Sequence, residues 1–160
     1  MTRRYARAPR GERAHDSAPR NYGEQTSLIS ALGVRRGLLA TMTVEGAVDT
    51  ICFDAYVERV LSPHLRRGDV VVLDNLGAHK ASCLERVAGK RGARVLWLPP
   101  YSPDYSPIEN CWSKIKTYLR AAKARTREEL EKALATVIDF VTKADIQGWF
   151  KHCGYSVARK

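Results

Sequence analysis

The spacing of apolar residues changes several times along the chain, and each spacing predicts a different element. Two β-rich stretches, residues 27–32 and 38–44, flank a link that starts at Gly33 and ends at Gly37, which predicts a β-hairpin. The next apolar residues follow the spacing of one face of an amphipathic helix: Phe53, Tyr56, Val57, Val60 and Leu61.

Two short apolar runs predict buried strands. Residues 70–73 are apolar at every position, as expected where helices cover both faces of a sheet, and Asp74 follows them directly. Residues 95–98 predict a second buried strand, which Pro99 and Pro100 end. A short helix is expected between the two strands, over residues 80–88.

Two longer helices follow, and a short one ends the chain. Ser106 is a preferred N-cap residue and Pro107 suits the first helical turn. Thr126 and Glu129 form the capping-box pattern that begins the second helix. The apolar side chains of the tail indicate a short docking helix: Ile146, Trp149 and Phe150. The order of elements predicts one α/β domain with an antiparallel start and parallel later strands, and several folds share that order.

The composition adds a strong positive charge to an otherwise ordinary globular chain. Apolar residues make up 44% and charged residues 28% of the 160 residues, but the net charge is +10. Such a charge favours polyanion partners, although a solvated basic surface explains it equally well. The four cysteines lack metal-ligand spacing, and no apolar run approaches the roughly 20 residues that span a bilayer. We therefore expect a cytoplasmic protein with reduced thiols and no membrane partner.

Asp74 and Glu109 are the residues that best suit chemistry, and thirty-four residues lie between them. Both also suit structural roles, since Asp74 can cap the following turn and Glu109 can close a capping box on Ser106. The apolar stripe of its helix leaves Glu109 and Lys116 on a neighbouring face. A carboxylate beside a strand-end Asp, with a lysine two turns on, suits divalent cations bound next to a phosphate.

The segments VVLDNLGAHK and LPPYSPDYSPIENCWSKIK resemble the signature of DDE transposases of the mariner superfamily, as found in bacterial insertion sequences. The spacing of the two acids fits the same family, and the resemblance extends over residues 5–155. It implies an α/β, RNase H-like mixed sheet flanked by helices. It also implies two Mg²⁺ or Mn²⁺ ions, which serve DNA strand cleavage and strand transfer.

Carried over by position, the resemblance implies that Asp74 is the second catalytic acid and metal ligand and Glu109 the third. Asn75, Pro107 and Trp112 would support the site, although Asn75 equally suits a helix cap. DNA contacts are expected at a set of histidine and basic residues: His79, Lys80, Lys114, Lys116, Arg120 and Lys123. The implied partners are transposon-end and target DNA and a second copy of the chain, in the nucleoid of a bacterial cytoplasm.

The first acid of the family's triad has no match in the chain. In relatives it ends the central first strand, upstream of the segment that resembles MTRRYARAPRGER. Asp16, Asp49 and Asp54 do not replace it, because they fall in a loop or in the predicted helix. The family's helix-turn-helix region is missing as well. We therefore expect a single truncated catalytic domain, marginally stable and inactive until an upstream transposase segment completes it.

Two alternatives stay open. A non-catalytic DNA-binding or regulatory protein would use the basic helix region, and its binding would depend on salt but not on metal. A stand-alone RNase H-like nuclease with a different third ligand would instead cleave DNA by itself in the presence of metal.

Overall fold

The chain is described by a computed structural model, which covers residues 7–15, 25–74 and 82–156. Its strands are β1 (Thr26–Gly33), β2 (Gly37–Glu45), β3 (Val70–Leu73) and β4 (Arg94–Trp97). Its α-helices are α1 (Thr50–Ala55), α2 (Ser82–Lys90), α3 (Pro107–Ala122), α4 (Arg127–Asp139) and α5 (Lys143–His152). A π-helical segment, Tyr56–Leu61, continues α1. The predicted α/β order of elements is confirmed, with α2 found slightly later in the chain than expected.

β1 and β2 form the predicted antiparallel hairpin, in which Gly33 pairs with Gly37. The register shifts after the pair of Ile29 with Met42, where β2 carries one extra residue. Ala40 takes up this residue with a left-handed φ of 52°, as is typical of a β-bulge.

The two faces of the hairpin pack against two separate hydrophobic cores, because neighbouring side chains of a strand point to opposite faces. Ile29 and Ala31 face the first core, which α1, the π-helical segment and α2 complete around buried residues such as Val57 and Leu84. Leu28 and Leu32 face the second core, which α3 and α4 complete around Cys111, Ile115, Leu134 and Val137. The hairpin is therefore the middle layer of the molecule.

β3 and β4 pair in parallel, with Val70 opposite Arg94 and Leu73 opposite Trp97. Their inner side chains, such as Val71 and Val95, pack on the first core. Their outer face is open, since Val70 is 41% and Leu96 is 52% exposed. The prediction that helices cover both faces of β3 is therefore wrong, and β4, predicted to be a buried strand, is exposed at Leu96. The described helices pack on one face of this strand pair and leave the other to solvent.

The strands form two separate two-stranded sheets, β1–β2 and β3–β4. A cavity of about 680 Å³ lies between them, lined by β1 on one side and by β3 on the other. No strand among residues 7–15, 25–74 and 82–156 connects the two sheets. This gap lies where the missing central strand was expected.

The four cysteines are free thiols, as predicted. Cys83, Cys111 and Cys153 are buried, whereas Cys52 is only half-buried. Burial raises the pKa of Cys111 to about 11, which keeps this thiol protonated and unreactive near neutral pH. Within the described part of the chain, no helix is long and apolar enough to cross a membrane.

Candidate catalytic site

The cavity between the two sheets brings the two candidate acids together. Asp74 lines it at the end of β3, and Glu109 lines it from the first turn of α3. Two elements far apart in sequence thus direct carboxylates to one concave surface. A shared site for the two acids stays a prediction.

Asp74 occupies the position directly after β3, and its side chain is exposed. The parallel ladder continues to this point, because Leu98 donates its backbone N–H to the carbonyl of Leu73 at 2.8 Å. Asp74 therefore projects from the carboxyl end of a fixed strand. In sheets with parallel strands this edge is where ligands commonly bind.

Glu109 does not close the capping box that its sequence position allows. Ser106 is the N-cap of α3, but its side chain forms no cap hydrogen bond. The backbone N–H of Ser106 already donates to the carbonyl of Pro103 at 2.9 Å, so it is not available to the Glu109 carboxylate. Among the described residues, that carboxylate has neither a hydrogen bond nor an ion pair. The structural role considered for Glu109 is therefore wrong, and its charge is directed to the cavity.

Pro107 and Trp112, predicted as supporting residues, both line the cavity beside Glu109. Pro107 lies in the first turn of α3, where its missing N–H costs no hydrogen bond. Trp112 is half-buried and packs against the second core. Asn75, His79 and Lys80 lie outside the described residues, so their roles stay predictions.

Three of the predicted DNA-binding residues continue the face of α3 that carries Glu109. At about 100° per residue, Lys116, Arg120 and Lys123 lie within about 40° of Glu109 around the helix axis. Lys116 and Lys123 are exposed and Arg120 is half-buried. Lys123 ends the helix with a left-handed φ of 50°. A carboxylate and three positive charges thus follow one another along a single face.

Lys114 lies on a different side of α3, about 140° from Glu109. Its ammonium group donates to the Asp145 carboxylate at 2.6 Å and to the Phe140 carbonyl at 3.0 Å. These bonds tie α3 to the start of α5. The Lys114 ammonium, followed by hydrogen bonds from Thr142, lowers the pKa of Asp145 to about 2. Lys114 stays a predicted DNA contact, but its ammonium group already forms an ion pair with Asp145.

Of the other acids considered for the triad, Asp49 and Asp54 do not line the cavity. Asp49 is the N-cap of α1 and accepts a hydrogen bond from the Cys52 backbone N–H at 2.8 Å. Asp54 lies within α1 and is absent from the cavity lining, and Asp16 lies outside the described residues. Over residues 7–15, 25–74 and 82–156, no three His, Cys, Asp or Glu side chains are grouped so that they could hold a metal ion. Asp74 and Glu109 are the two predicted metal ligands that line the cavity, and carboxylate oxygens are the ligand type that hard cations take.

Two tyrosines that were not predicted as site residues, Tyr56 and Tyr155, also line the cavity. Tyr56 is 2% exposed, and its hydroxyl has no hydrogen-bond partner within the described residues. Burial raises the pKa of Tyr56 well above its ordinary value. Tyr155 also lines the cavity, and its hydroxyl donates to the Tyr105 carbonyl at 2.7 Å, which ties the tail to the loop before α3. Apolar spacing alone does not separate such residues from ordinary core residues.

The family model of the DDE superfamily endonucleases matches residues 1–131. The chain is also similar to the Mos1 strand transfer complex, at 16% identity and a TM-score of 0.72, over 96% of this chain and 47% of that one. A Mos1 transposase paired-end complex with the left transposon end gives 15% identity, a TM-score of 0.73, and 96% and 47% coverage. The Mos1 mariner paired-end complex with Mn gives 14% identity, a TM-score of 0.63, and 96% and 48% coverage.

At these identities the likeness establishes the fold, and it confirms the expected α/β, RNase H-like architecture. The chain spans about half the length of the Mos1 chains that it matches. A comparison with curated proteins finds no match. The family model covers most of the sequence, and the chain therefore belongs to the DDE superfamily endonucleases.

Proposed function

We propose that the chain supplies the second and third acids of a DDE transposase site, which cleaves and transfers DNA strands in the transposition of a bacterial insertion sequence. The observation that carries this proposal is the meeting of Asp74 and Glu109 at one cavity, where Glu109 has no structural partner. Their oxygen atoms are the ligand type that Mg²⁺ and Mn²⁺ prefer. In such sites the ions activate the attacking oxygen and stabilise the leaving one.

The first acid, in this proposal, arrives on a separate strand that lies between β1 and β3. Each of these strands pairs on one side only within the described residues, so each offers a row of backbone N–H and C=O groups to the cavity. The Tyr56 side chain also lines this cavity, and its hydroxyl has no partner among the described residues. An apolar strand parallel to β3 would satisfy these groups and join both sheets into one mixed sheet. Its carboxyl end would then lie beside Asp74.

DNA would follow the exposed face of α3. Lys116, Arg120 and Lys123 continue from Glu109, so phosphates held by these residues would lead towards the acids. His79 and Lys80 follow Asp74 in sequence and extend the same proposal, with Asn75 as a support of the site. One of the similar structures is a Mos1 transposase complex with a left transposon end, which supports DNA as the partner. The proposal includes two copies of the chain acting on transposon-end and target DNA in the bacterial nucleoid.

A second candidate function is non-catalytic DNA binding by this chain. The observation in its favour is that the described residues offer two carboxylates at the cavity and no third ligand. Under this alternative the chain only binds DNA, and its net charge of +10 provides the attraction.

Two experiments separate these functions. The first is to sequence the DNA upstream of the first codon and translate all three frames. A short apolar run that ends in Asp-Glu supports the transposase proposal, and its absence in every frame contradicts it. The second is to assay nicking of supercoiled plasmid in Mn²⁺ by the purified chain and by the chain joined to the upstream strand. We expect activity only in the joined protein, and nicking by the chain alone would contradict the need for another strand.

A further inference from the structure

The segment that follows α5, residues 153–156, packs against the start of α3. Tyr155 lies three residues beyond the end of α5, and its hydroxyl donates to the Tyr105 carbonyl at 2.7 Å. Its ring meets the Phe150 ring edge to face with centroids 5.7 Å apart, and its N–H donates to the Phe150 carbonyl at 2.9 Å. Helix α5 therefore holds Tyr155 in place while the hydroxyl reaches the loop before α3.

The same segment also contacts the first turn of α3. The Asn110 side-chain amide donates to the Cys153 sulfur at 3.9 Å, which is a weak hydrogen bond. Burial of Cys153, followed by the negative charge of Asp104, raises the pKa of its thiol. The Cys153 thiol therefore lies close to the turn before α3 as well as to the helix itself. Residues 153–156 thus contact the chain both before and after Glu109.

The hydroxyl of Tyr155 binds the peptide unit that joins Tyr105 to Ser106. The carbonyl of this peptide accepts from Tyr155, and its N–H donates to the Pro103 carbonyl at 2.9 Å. A trans peptide is planar, so a bond that fixes the direction of its C=O also fixes the direction of its N–H. The bond from Tyr155 therefore helps to keep the Ser106 N–H directed at Pro103.

The direction of this N–H decides whether Glu109 can close a capping box. At the start of α4 the equivalent N–H, that of Thr126, donates to the Glu129 carboxylate at 3.2 Å. An acid three residues after the N-cap thus closes a capping box in this chain where the N-cap N–H points to it. At the start of α3 the N–H points to Pro103 instead, and Glu109 lines the cavity.

We propose that Tyr155 is a positioning residue, which directs Glu109 to the cavity by fixing the peptide unit before α3. Without the hydroxyl, this peptide can rotate and offer its N–H to the Glu109 carboxylate. Glu109 would then close a capping box as Glu129 does, and its charge would be withdrawn from the cavity. The importance of this for cleavage rests on the proposed function, but the coupling between Tyr155 and Glu109 requires neither DNA nor metal.

The test is a double-mutant cycle in the purified 160-residue chain, measured by urea unfolding without DNA or metal. In the unmodified chain Glu109→Ala should change the unfolding equilibrium constant by less than about twofold, since no bond is lost. Tyr155→Phe keeps the ring and removes the hydroxyl. In its background Glu109→Ala should raise that constant roughly fivefold, because the substitution then removes a capping bond. An equal effect of Glu109→Ala in both backgrounds would overturn the proposal.

The matched control is Tyr118→Phe, which removes a tyrosine hydroxyl from α3 nine residues beyond Glu109 while keeping the ring contact with Phe140. We expect no coupling between this substitution and Glu109→Ala, and coupling as large as that of Tyr155→Phe would contradict the proposal. Circular dichroism checks that each variant folds. If Tyr155→Phe does not fold, Phe150→Leu replaces it, because this substitution removes the ring that supports Tyr155.

A second readout uses the protein joined to the upstream strand. There Tyr155→Phe should lower metal-dependent nicking by roughly tenfold or more and leave the Kd for DNA unchanged, because Glu109 is misplaced while the DNA contacts remain. Nicking at the unmodified rate would overturn the proposal. If the joined protein does not nick DNA at all, the proposed function fails, whereas the unfolding cycle still decides whether Tyr155 positions Glu109.

Discussion

The starts of α3 and α5 share a sequence pattern but use it in opposite ways. Each has a hydroxyl residue at the N-cap and an acid three positions later, Ser106 with Glu109 and Thr142 with Asp145. In α5 the Asp145 carboxylate accepts hydrogen bonds from the Thr142 N–H, the Thr142 hydroxyl and Lys114. In α3 the Glu109 carboxylate forms no such bond with any described residue.

The difference arises before the helix begins. A 3-10 turn, Pro103–Tyr105, precedes α3, and the Ser106 N–H closes it by donating to Pro103. Ser106 also has a ψ of 95°, whereas the capping residues Thr126 and Thr142 have ψ near 165° and 160°. The proline-rich segment before α3 thus accepts the hydrogen bond from the Ser106 N–H, which a capping acid would otherwise accept. An acid at a helix start that completes no capping box is therefore a better functional candidate than one that does.

The largest expected effect is a separation of activity from stability at these two acids. In the protein completed by the upstream strand, Glu109→Gln should lower metal-dependent nicking by about 10³-fold or more, which corresponds to roughly 4 kcal/mol in activation free energy. Its free energy of unfolding should change by less than about 0.5 kcal/mol, since no bond is lost. Plasmid nicking and urea unfolding measure the two quantities.

Asp145→Asn is the matched control for that variant and should give the reverse result. It weakens the bonds to Lys114 and Thr142, so we expect a loss of about 1 kcal/mol in stability with nicking retained. If Glu109→Gln were as destabilising as Asp145→Asn, the distinction between the two helix starts would fail.

The next effect concerns two lysines of α3, of which Lys114 is bonded to other helices and Lys116 is exposed. Lys114→Met removes the tie to Asp145 and the Phe140 carbonyl, and we expect it to lower the free energy of unfolding by about 1 kcal/mol. Lys116→Met removes the same charge from an exposed position and should change it by less than about 0.5 kcal/mol. Urea unfolding measures both variants.

The variant with the smaller effect on stability should have the larger effect on DNA affinity. Lys116→Met should weaken binding to duplex DNA, and Lys114→Met should leave it nearly unchanged. Weaker binding by Lys114→Met, with stability preserved, would restore Lys114 as a DNA contact and contradict the role given to its bond with Asp145.

A smaller effect tests the caps themselves. The Thr126 hydroxyl accepts from the Glu129 N–H at 3.1 Å, so Thr126→Ala should cost about 1 kcal/mol. Ser106→Ala removes a hydroxyl that makes no cap bond and should cost only a few tenths of a kcal/mol. Thermal or urea unfolding distinguishes them, and equal costs would show that Ser106 caps α3 in solution.

Much of the fold follows from the sequence because its signals are local. The glycines at 33 and 37, the capping box at Thr126 and the apolar stripes of α3 and α4 each predict an element that the structure contains. The burial of β3 and β4 could not be predicted correctly from the sequence. An apolar run shows that its residues can be buried, but it does not show whether another element packs over them. Val70 and Leu96 are exposed since the described chain supplies packing on one face only.

The site could be predicted only in part for a similar reason. The strand end at Asp74 and the helix start at Glu109 are local features that the sequence predicts. The resemblance to a family then assigned both residues to one site. The lack of a capping box at Glu109 depends on the turn before α3, and the partner of Lys114 depends on α5 packing beside it.

The smallest expected effect is the acid dependence of stability that Asp145 contributes. Its folded pKa of about 2 lies below the ordinary value of 3.8, so its stabilising bonds are fully present above that ordinary value. They are lost as pH falls towards 2, because protonation removes the charge that Lys114 and Thr142 bond. The stability difference between the unmodified chain and Asp145→Asn should therefore shrink below about pH 4. Urea unfolding at a series of pH values measures it. A difference that stays constant down to the lowest pH at which the chain folds would mean that the Asp145 carboxylate is not bonded to Lys114. The start of α5 would then resemble the start of α3, where the acid has no structural partner.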